Sequence, residues 1–237
     1  MAQKRISIGR LVSEFVKMSQ AEARNHPKGK DRVTMTDKAR STRGYFDRMA
    51  KQWDDLGDAG VLRKRLEPLV GMFNLPKSGI VLDVGTGTGI LHPLLLAAVG
   101  RSGTVLAFDF SREMIEQART KESSQNLLCF QADVTAVPLP EHTCDCIVCF
   151  AAFPHFHDKL RALQEMARVT KTGGRVLIAH LMSRHQIARH HHGSPEVAGH
   201  CLPPDEEMEQ LFTEAGLEIV TIRDKPGCYF AQGVRQI

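Results

Sequence analysis

The stretch VLDVGTGTGI, residues 81–90, ends an apolar run in an acid and then alternates glycine with threonine. Asp83 stands two positions before Gly85, and Gly87 and Gly89 follow. Glycine has no Cβ, so such a loop allows positive φ and close approach of a ligand to the backbone. A dinucleotide loop would read G-x-G-x-x-G, with a pyrophosphate at the helix N-terminus. Here the order is G-x-G-x-G, and the carboxylate ahead of it would repel a pyrophosphate. The same carboxylate suits a ligand bearing an ammonium or sulfonium group. Asp109, closing GTVLAFD, could accept hydrogen bonds from ribose hydroxyls. Asp133, in QADVTAVPLP, could accept from an adenine amino group or cap a turn.

A second constellation is the histidines. Six of the eleven fall in residues 180–200: His180, His185, His190, His191, His192 and His200. If 183–192 is helical, His185 and Arg189 share a face at i, i+4, with His192 near it. His155 and His157 follow the apolar run at 144–150. Three readings stay open: exposed loop residues with no joint role, acid–base work with His155 or His180 as the base, or a metal held by His185, His192 and His200. The spacing fits no H-E-x-x-H or zinc-finger pattern, so the metal reading rests on composition.

Short apolar runs alternating with helical periodicity must position these groups. Strands are expected near 79–84, 104–108, 127–131, 144–150 and 174–180, and helices near 89–99, 111–122 and 157–170. That alternation implies parallel strands joined by crossover helices. A helix at 205–215 and two strands, 217–224 and 228–235, follow, with Pro226-Gly227 turning an antiparallel hairpin. Upstream, helices are expected at 11–24, through TRGYFDRMAKQWDDL and at 59–73. The cysteines of CDCIVCF (144–150) read as small packing residues in a buried strand rather than as redox or metal chemistry.

Residues 1–44 hold eleven Lys/Arg against four Asp/Glu, in a chain of net charge +4. Such an arm could attract nucleic acid or anionic lipid, but no aromatic residues interleave as a single-strand binder would want. The helix at 11–24 could pack on the core or on a second copy in a homodimer. No apolar run approaches the roughly 18 residues of a membrane span, and no signal-peptide pattern opens the chain. The cytoplasm is the default expectation.

VLDVGTGTGI, AFDFSREMIEQAR, ADVTAVPLP, CDCIVCFAAFPHF and ALQEMARVTKTGGRVLIAH resemble, in order, the motifs of class I S-adenosylmethionine-dependent methyltransferases. The similarity is nearest to the ubiquinone/menaquinone-biosynthesis methyltransferases and other small-molecule enzymes, and covers about 43–235. It implies a Rossmann-like, doubly wound α/β fold: a seven-stranded sheet with a terminal antiparallel hairpin and an N-terminal helical cap. The domain would span 43–237, preceded by a basic extension at 1–42, with a His-rich substrate-side insertion at 180–204.

The resemblance further implies that Asp83, Gly85, Thr86 and Gly87 surround the methionine part of S-adenosylmethionine. Asp109 would hold its ribose, Phe110 and Met114 would line the adenine pocket, and Asp133 and Val134 would meet the adenine. Phe150 would border the sulfonium, and Tyr45, in GYFDRMAKQWD, would act as a lid or a packing residue. After the fourth strand FAAFPHFHD replaces the Asn/Asp-Pro-Pro-aromatic motif of adenine-N6 and glutamine-N methyltransferases. Phe153 and Phe156 would instead shape an apolar pocket, with His185 and Arg189 as further substrate contacts. The expected function is methyl transfer to a small, partly apolar molecule. The alternatives are a metal-bound or metalloid acceptor, an RNA acceptor using the basic N-terminus, or a binding protein that retains the cofactor fold.

Overall fold

The computed structural model describes residues 37–193 and 195–236. The expected helix at 11–24 and most of the basic segment lie outside the described residues. Helix α1 (Asp37–Met49) passes into a 3-10 segment, Ala50–Leu56, so the stretch expected to be one helix tightens after Met49. Helix α2 (Ala59–Met72) starts where the Asp58 carboxylate accepts from the Val61 N–H at 2.9 Å, a side-chain cap for an otherwise orphaned donor.

Five strands follow in the expected order: β1 (Ile80–Val84), β2 (Thr104–Asp109), β3 (Leu127–Gln131), β4 (Cys144–Phe150) and β5 (Thr170–His180). Helices α3 (His92–Val99), α4 (Arg112–Lys121) and α5 (Lys159–Val169) connect them. Helices α6 (Arg184–His191) and α7 (Asp205–Glu214) precede the hairpin of β6 (Leu217–Lys225) and β7 (Cys228–Arg235). The sheet runs β3-β2-β1-β4-β5-β7-β6. Neighbours from β3 to β5 are parallel, whereas β7 pairs antiparallel with both β5 and β6. The order reverses between β1 and β4, and in such sheets ligands bind outside the carboxyl ends of the strands at that reversal.

The central strands are apolar because both faces are covered. Leu66, Leu69, Val70 and Phe73 of α2 and its C-cap pack with Leu95 and Val99 of α3 onto Val81, Val105, Cys146, Val148 and Leu177. Cys144, Cys146 and Cys149 are buried free thiols. Burial pushes Cys146 up to about 12 and the other two further, so they pack as small apolar groups.

From β1 onward, two boundaries differ from the sequence expectation by three residues or more. Helix α3 begins at His92 rather than 89, because Gly85, Gly87 and Gly89 all take positive φ (+68°, +54°, +80°) and hold the loop out of the helix. Strand β5 begins at Thr170 rather than 174. Its register shifts between the pairs Cys144–Thr170 and Cys146–Arg175, so Gly173-Gly174 is absorbed as an irregularity within the strand. Among the described residues no helix is long and apolar enough to cross a membrane.

Candidate active site

The loop after β1 is pinned across the end of β2: the N–H groups of Gly85 and Thr86 both donate to the Phe108 carbonyl, at 2.9 and 3.0 Å. A Cβ on Gly85 would lie 2.3 Å from the Ala152 Cβ, so the loops after β1 and β4 meet where only glycine fits. Asp83 is 2% exposed and accepts from the Thr86 hydroxyl at 2.6 Å. The same hydroxyl lies 2.7 Å from Nε2 of His92, which is fully buried. A threonine has one hydroxyl proton, and the carboxylate takes it. The His92 Nε2–H therefore donates to Thr86, leaving its Nδ1 bare, a buried atom without a partner. Burial, aided by the charge of Lys121, lowers His92 to about 4. Burial also raises Asp83 to about 7 against the Thr86 hydrogen bond, with the Asp109 charge adding to the rise.

Asp109 ends β2 with its carboxylate held by two backbone donors, the Gly87 and Ser111 N–H groups, each at 2.9 Å. Burial outweighs these bonds and raises Asp109 to about 6. Two adjacent buried carboxylates, both pushed toward neutrality, make a site that gains from a cation and from hydroxyl donors. Gly87 would meet nothing within 4 Å if it carried a Cβ. This donor set and open backbone fit the ammonium and ribose of S-adenosylmethionine.

The N-terminal elements close over this region. Asp47 of α1 accepts from the Ser111 hydroxyl at 2.6 Å, and Asp54 of the 3-10 segment accepts from the Thr88 hydroxyl at 2.7 Å and pairs with Lys121. Phe46 packs with Tyr45, Trp53, Phe110, Met114 and Val197. Its ring lies 6.0 Å from Phe110 and 5.1 Å from His155. Arg48 reaches Glu196 at 3.3 Å, which ties the helix to the segment after α6. Tyr45, Phe110 and Met114 therefore share one cluster. Val134 is buried, whereas Asp133 is exposed and one of its oxygens accepts from the Thr135 N–H and hydroxyl, both at 2.8 Å, which is the turn-capping arrangement.

The histidines converge, but not in the expected combination. Ser183 caps α6 through a reciprocal box with Gln186, and Ile187 and His191 face inward. His185, Arg189 and His192 are exposed, so they do not join His200, which is 6% exposed. The expected metal trio His185–His192–His200 is thereby corrected, because the helix turns His185 and His192 away from His200; the expected substrate pair His185–Arg189 lies on the same exposed face. Among the described residues no group of three or more His, Cys, Asp or Glu is placed to hold a metal.

His155 stands at the centre of the cluster, its ring 4.8 Å from His191 and 5.2 Å from His200. Its Nδ1 lies 3.0 Å from that of His200. His157 stacks edge-on to His200 at 5.6 Å. His180 ends β5 with its ring 6.2 Å from Phe150 and its buried Nδ1 unpartnered. Burial first, then the neighbouring imidazoles, lower His155 well below its ordinary value and His180 and His200 to about 4. Phe156 is half-buried, and Phe153 is fully buried with its ring 5.6 Å from that of Phe156. Sequence reasoning missed His92 and the inward role of His191. The signals were the position of His92 three residues after Gly89, and that of His191 four residues after the apolar Ile187.

A family model described as a methyltransferase domain matches residues 82–178. A ubiquinone/menaquinone biosynthesis C-methyltransferase of Saccharophagus degradans is 33% identical over 159 residues, covering 63% of each chain. A demethylmenaquinone methyltransferase of Bacillus licheniformis is 30% identical over 144 residues, 59% of this chain and 62% of the relative. The chain thus spans less than two thirds of the length of these relatives. Among solved structures, a SAM-dependent methyltransferase of Aquifex aeolicus superposes with a TM-score of 0.59 at 26% identity, covering 75% of this chain and 98% of that one. A Haloferax volcanii methyltransferase, solved with its Trm112 activator, gives 0.70 at 20% identity over 81% and 98%, a likeness of fold. The glycine loop, Asp83 and Asp109 all lie within residues 82–178, the segment that matches the methyltransferase domain model, and the fold is that of the solved methyltransferases.

Proposed function

We propose that the protein transfers a methyl group from S-adenosylmethionine to a small, partly apolar acceptor of quinol type. The observation that carries this reading is the pairing of buried Asp83 and Asp109 across the glycine loop, beneath an aromatic lid centred on Phe46. The relatives named for ubiquinone and menaquinone biosynthesis and for demethylmenaquinone support the acceptor class.

When bound, S-adenosylmethionine supplies a methyl group on a positively charged sulfur, already a good leaving group. The chain's own work is then to hold and align. In this reading Asp83, with Gly85, Thr86 and Gly87, receives the ammonium end. Asp109 takes the ribose hydroxyls, and Phe110, Met114, Asp133 and Val134 take the adenine. Tyr45 belongs to the lid, and Phe150 and Phe156 border the acceptor. His155 and His180 stand where a proton acceptor or hydrogen-bond partner would serve it. The domain takes in residues 37–42 as well as 43–237, because α1 runs unbroken through that point, and 180–204 forms its acceptor side.

Calorimetry with S-adenosylmethionine and a labelled-methyl assay on a reduced naphthoquinone test the reading together. Micromolar cofactor binding, lost in Asp109→Ala, and label transfer to the quinol are expected. An Asp109→Ala variant that binds like the parent, or no binding at millimolar cofactor, would refute it.

A further inference from the structure

A single hydrogen bond fixes the tautomer of His191. Its Nδ1 lies 2.6 Å from the backbone carbonyl of His200. A carbonyl oxygen only accepts, so that nitrogen carries the proton, and the neutral ring presents a bare Nε2. His191 is 7% exposed, and burial holds it below its ordinary value, in the neutral form. The ring sits 4.8 Å from that of His155, which in turn lies 5.1 Å from the ring of Phe46. Beside them, buried His180 has an unpartnered Nδ1 next to Phe150. A buried polar atom left without a partner costs free energy unless a ligand satisfies it.

We propose that His191 Nε2 and His180 Nδ1 form the recognition site for an un-ionised hydroxyl on the acceptor, with the hydroxyl donating to His191. This rests on the methyltransferase reading and assigns the acceptor's hydroxyl to two residues of this chain. With these imidazoles neutral, the cation acting on His155 is Lys159. Bringing a cationic acceptor into such a site costs free energy, whereas a hydroxyl brings no net charge. A site built to bond a hydroxyl also discriminates against the analogue that lacks it, because its own polar atoms then stay unpaired.

The test compares β-naphthol, naphthalene and naphthylmethylammonium as probes, by fluorescence titration with and without S-adenosylhomocysteine. The wild type is expected to bind β-naphthol about tenfold more tightly than naphthalene, the scale of one buried hydrogen bond, and the ammonium no better than naphthalene. His191→Asn keeps a donor for the His200 carbonyl and deletes the Nε2 acceptor. It should reduce the naphthol preference to about one- to twofold while naphthalene affinity holds. Nitrogen NMR of the wild-type imidazoles should show His191 protonated on Nδ1 alone. Equal naphthol and naphthalene affinity, an unchanged preference in His191→Asn, tighter ammonium binding, protonation on Nε2, or stoichiometric zinc uptake by His155 and His200 would each overturn the proposal. Failure of S-adenosylhomocysteine to bind while the naphthol preference persists would refute the methyltransferase reading and leave the hydroxyl site standing.

Discussion

His92 and Asp83 share a single hydroxyl. Their side chains approach to 3.8 Å, and Thr86 Oγ1 bridges them, donating to the carboxylate and accepting from the imidazole. The bridge links the two buried groups, so a charge brought against Asp83 would also act on His92.

The first prediction concerns pH. Asp83 is raised to about 7, and a cationic ligand favours its ionised form. Below that pH binding must first remove a proton. Affinity for S-adenosylmethionine should therefore be full above about pH 7 and fall toward a limit of about tenfold per pH unit below it. Calorimetry in buffers of different ionisation enthalpy should detect up to one proton released. Asp83→Asn should bind weakly and without this dependence; an Asn variant with the parental pH profile would place the titration elsewhere.

Thr86→Val keeps the shape and removes the bridge, leaving the His92 N–H and the Asp83 carboxylate without each other's link. A loss of about 3 kcal/mol in urea unfolding is expected, since two buried polar groups lose partners. Thr86→Ser should retain most of the stability. Equal stability of the Val and Ser variants would show that the hydroxyl is not the connection.

Gly85→Ala tests two costs separately. The positive φ of +68° alone costs about 1–2 kcal/mol for an L side chain. The contact at 2.3 Å with the Ala152 Cβ adds to it. Introducing Ala152→Gly into Gly85→Ala should restore the steric part and leave the backbone part, as read from unfolding midpoints. No restoration would mean that the loops after β1 and β4 do not meet as described.

Glu165 anchors the loop that carries Asp133. It is 3% exposed, accepts from the Val137 N–H at 2.8 Å and from Arg168, and Arg168 in turn donates to the Val137 and Leu139 carbonyls. Burial pushes its carboxyl up, but the Arg168 and Val137 hydrogen bonds and the Arg168 and Arg161 charges outweigh that and bring it below its ordinary 4.5. Its stabilisation is thus present above about pH 4.5 and lost as pH falls through the lower folded value. Glu165→Ala should cost about 3 kcal/mol at neutral pH. The gap between variant and parent should narrow in acid; a constant gap would argue against ionisation as its source.

The fold was legible because its signals are local. Apolar runs marked the strands within a few residues, and glycine alternation after Asp83 marked the loop between β1 and α3. The β5 start was not legible, since Thr170 joins the strand only through a register irregularity around Gly173-Gly174. The histidine assignment failed for a different reason. Spacing told which residues of α6 share a face, but not which face turns inward. Ile187 decides that, by burying itself and carrying His191 with it, while His185 and Arg189 stay in solvent. His92 was missed because it reaches Asp83 through the Thr86 hydroxyl, and only the path of the glycine loop folds it back onto that hydroxyl.

The position of β7 bears on how the molecule is made. It follows β6 in the chain yet lies between β5 and β6 in the sheet. A ribosome delivers the parallel strands first and β6 next, but β6 has no edge to join until β7 arrives. During that interval β5 presents an open strand edge, which can pair with another nascent chain. Completion of the sheet is thus a late event, and chaperone demand should fall on chains stalled between Lys225 and Arg235.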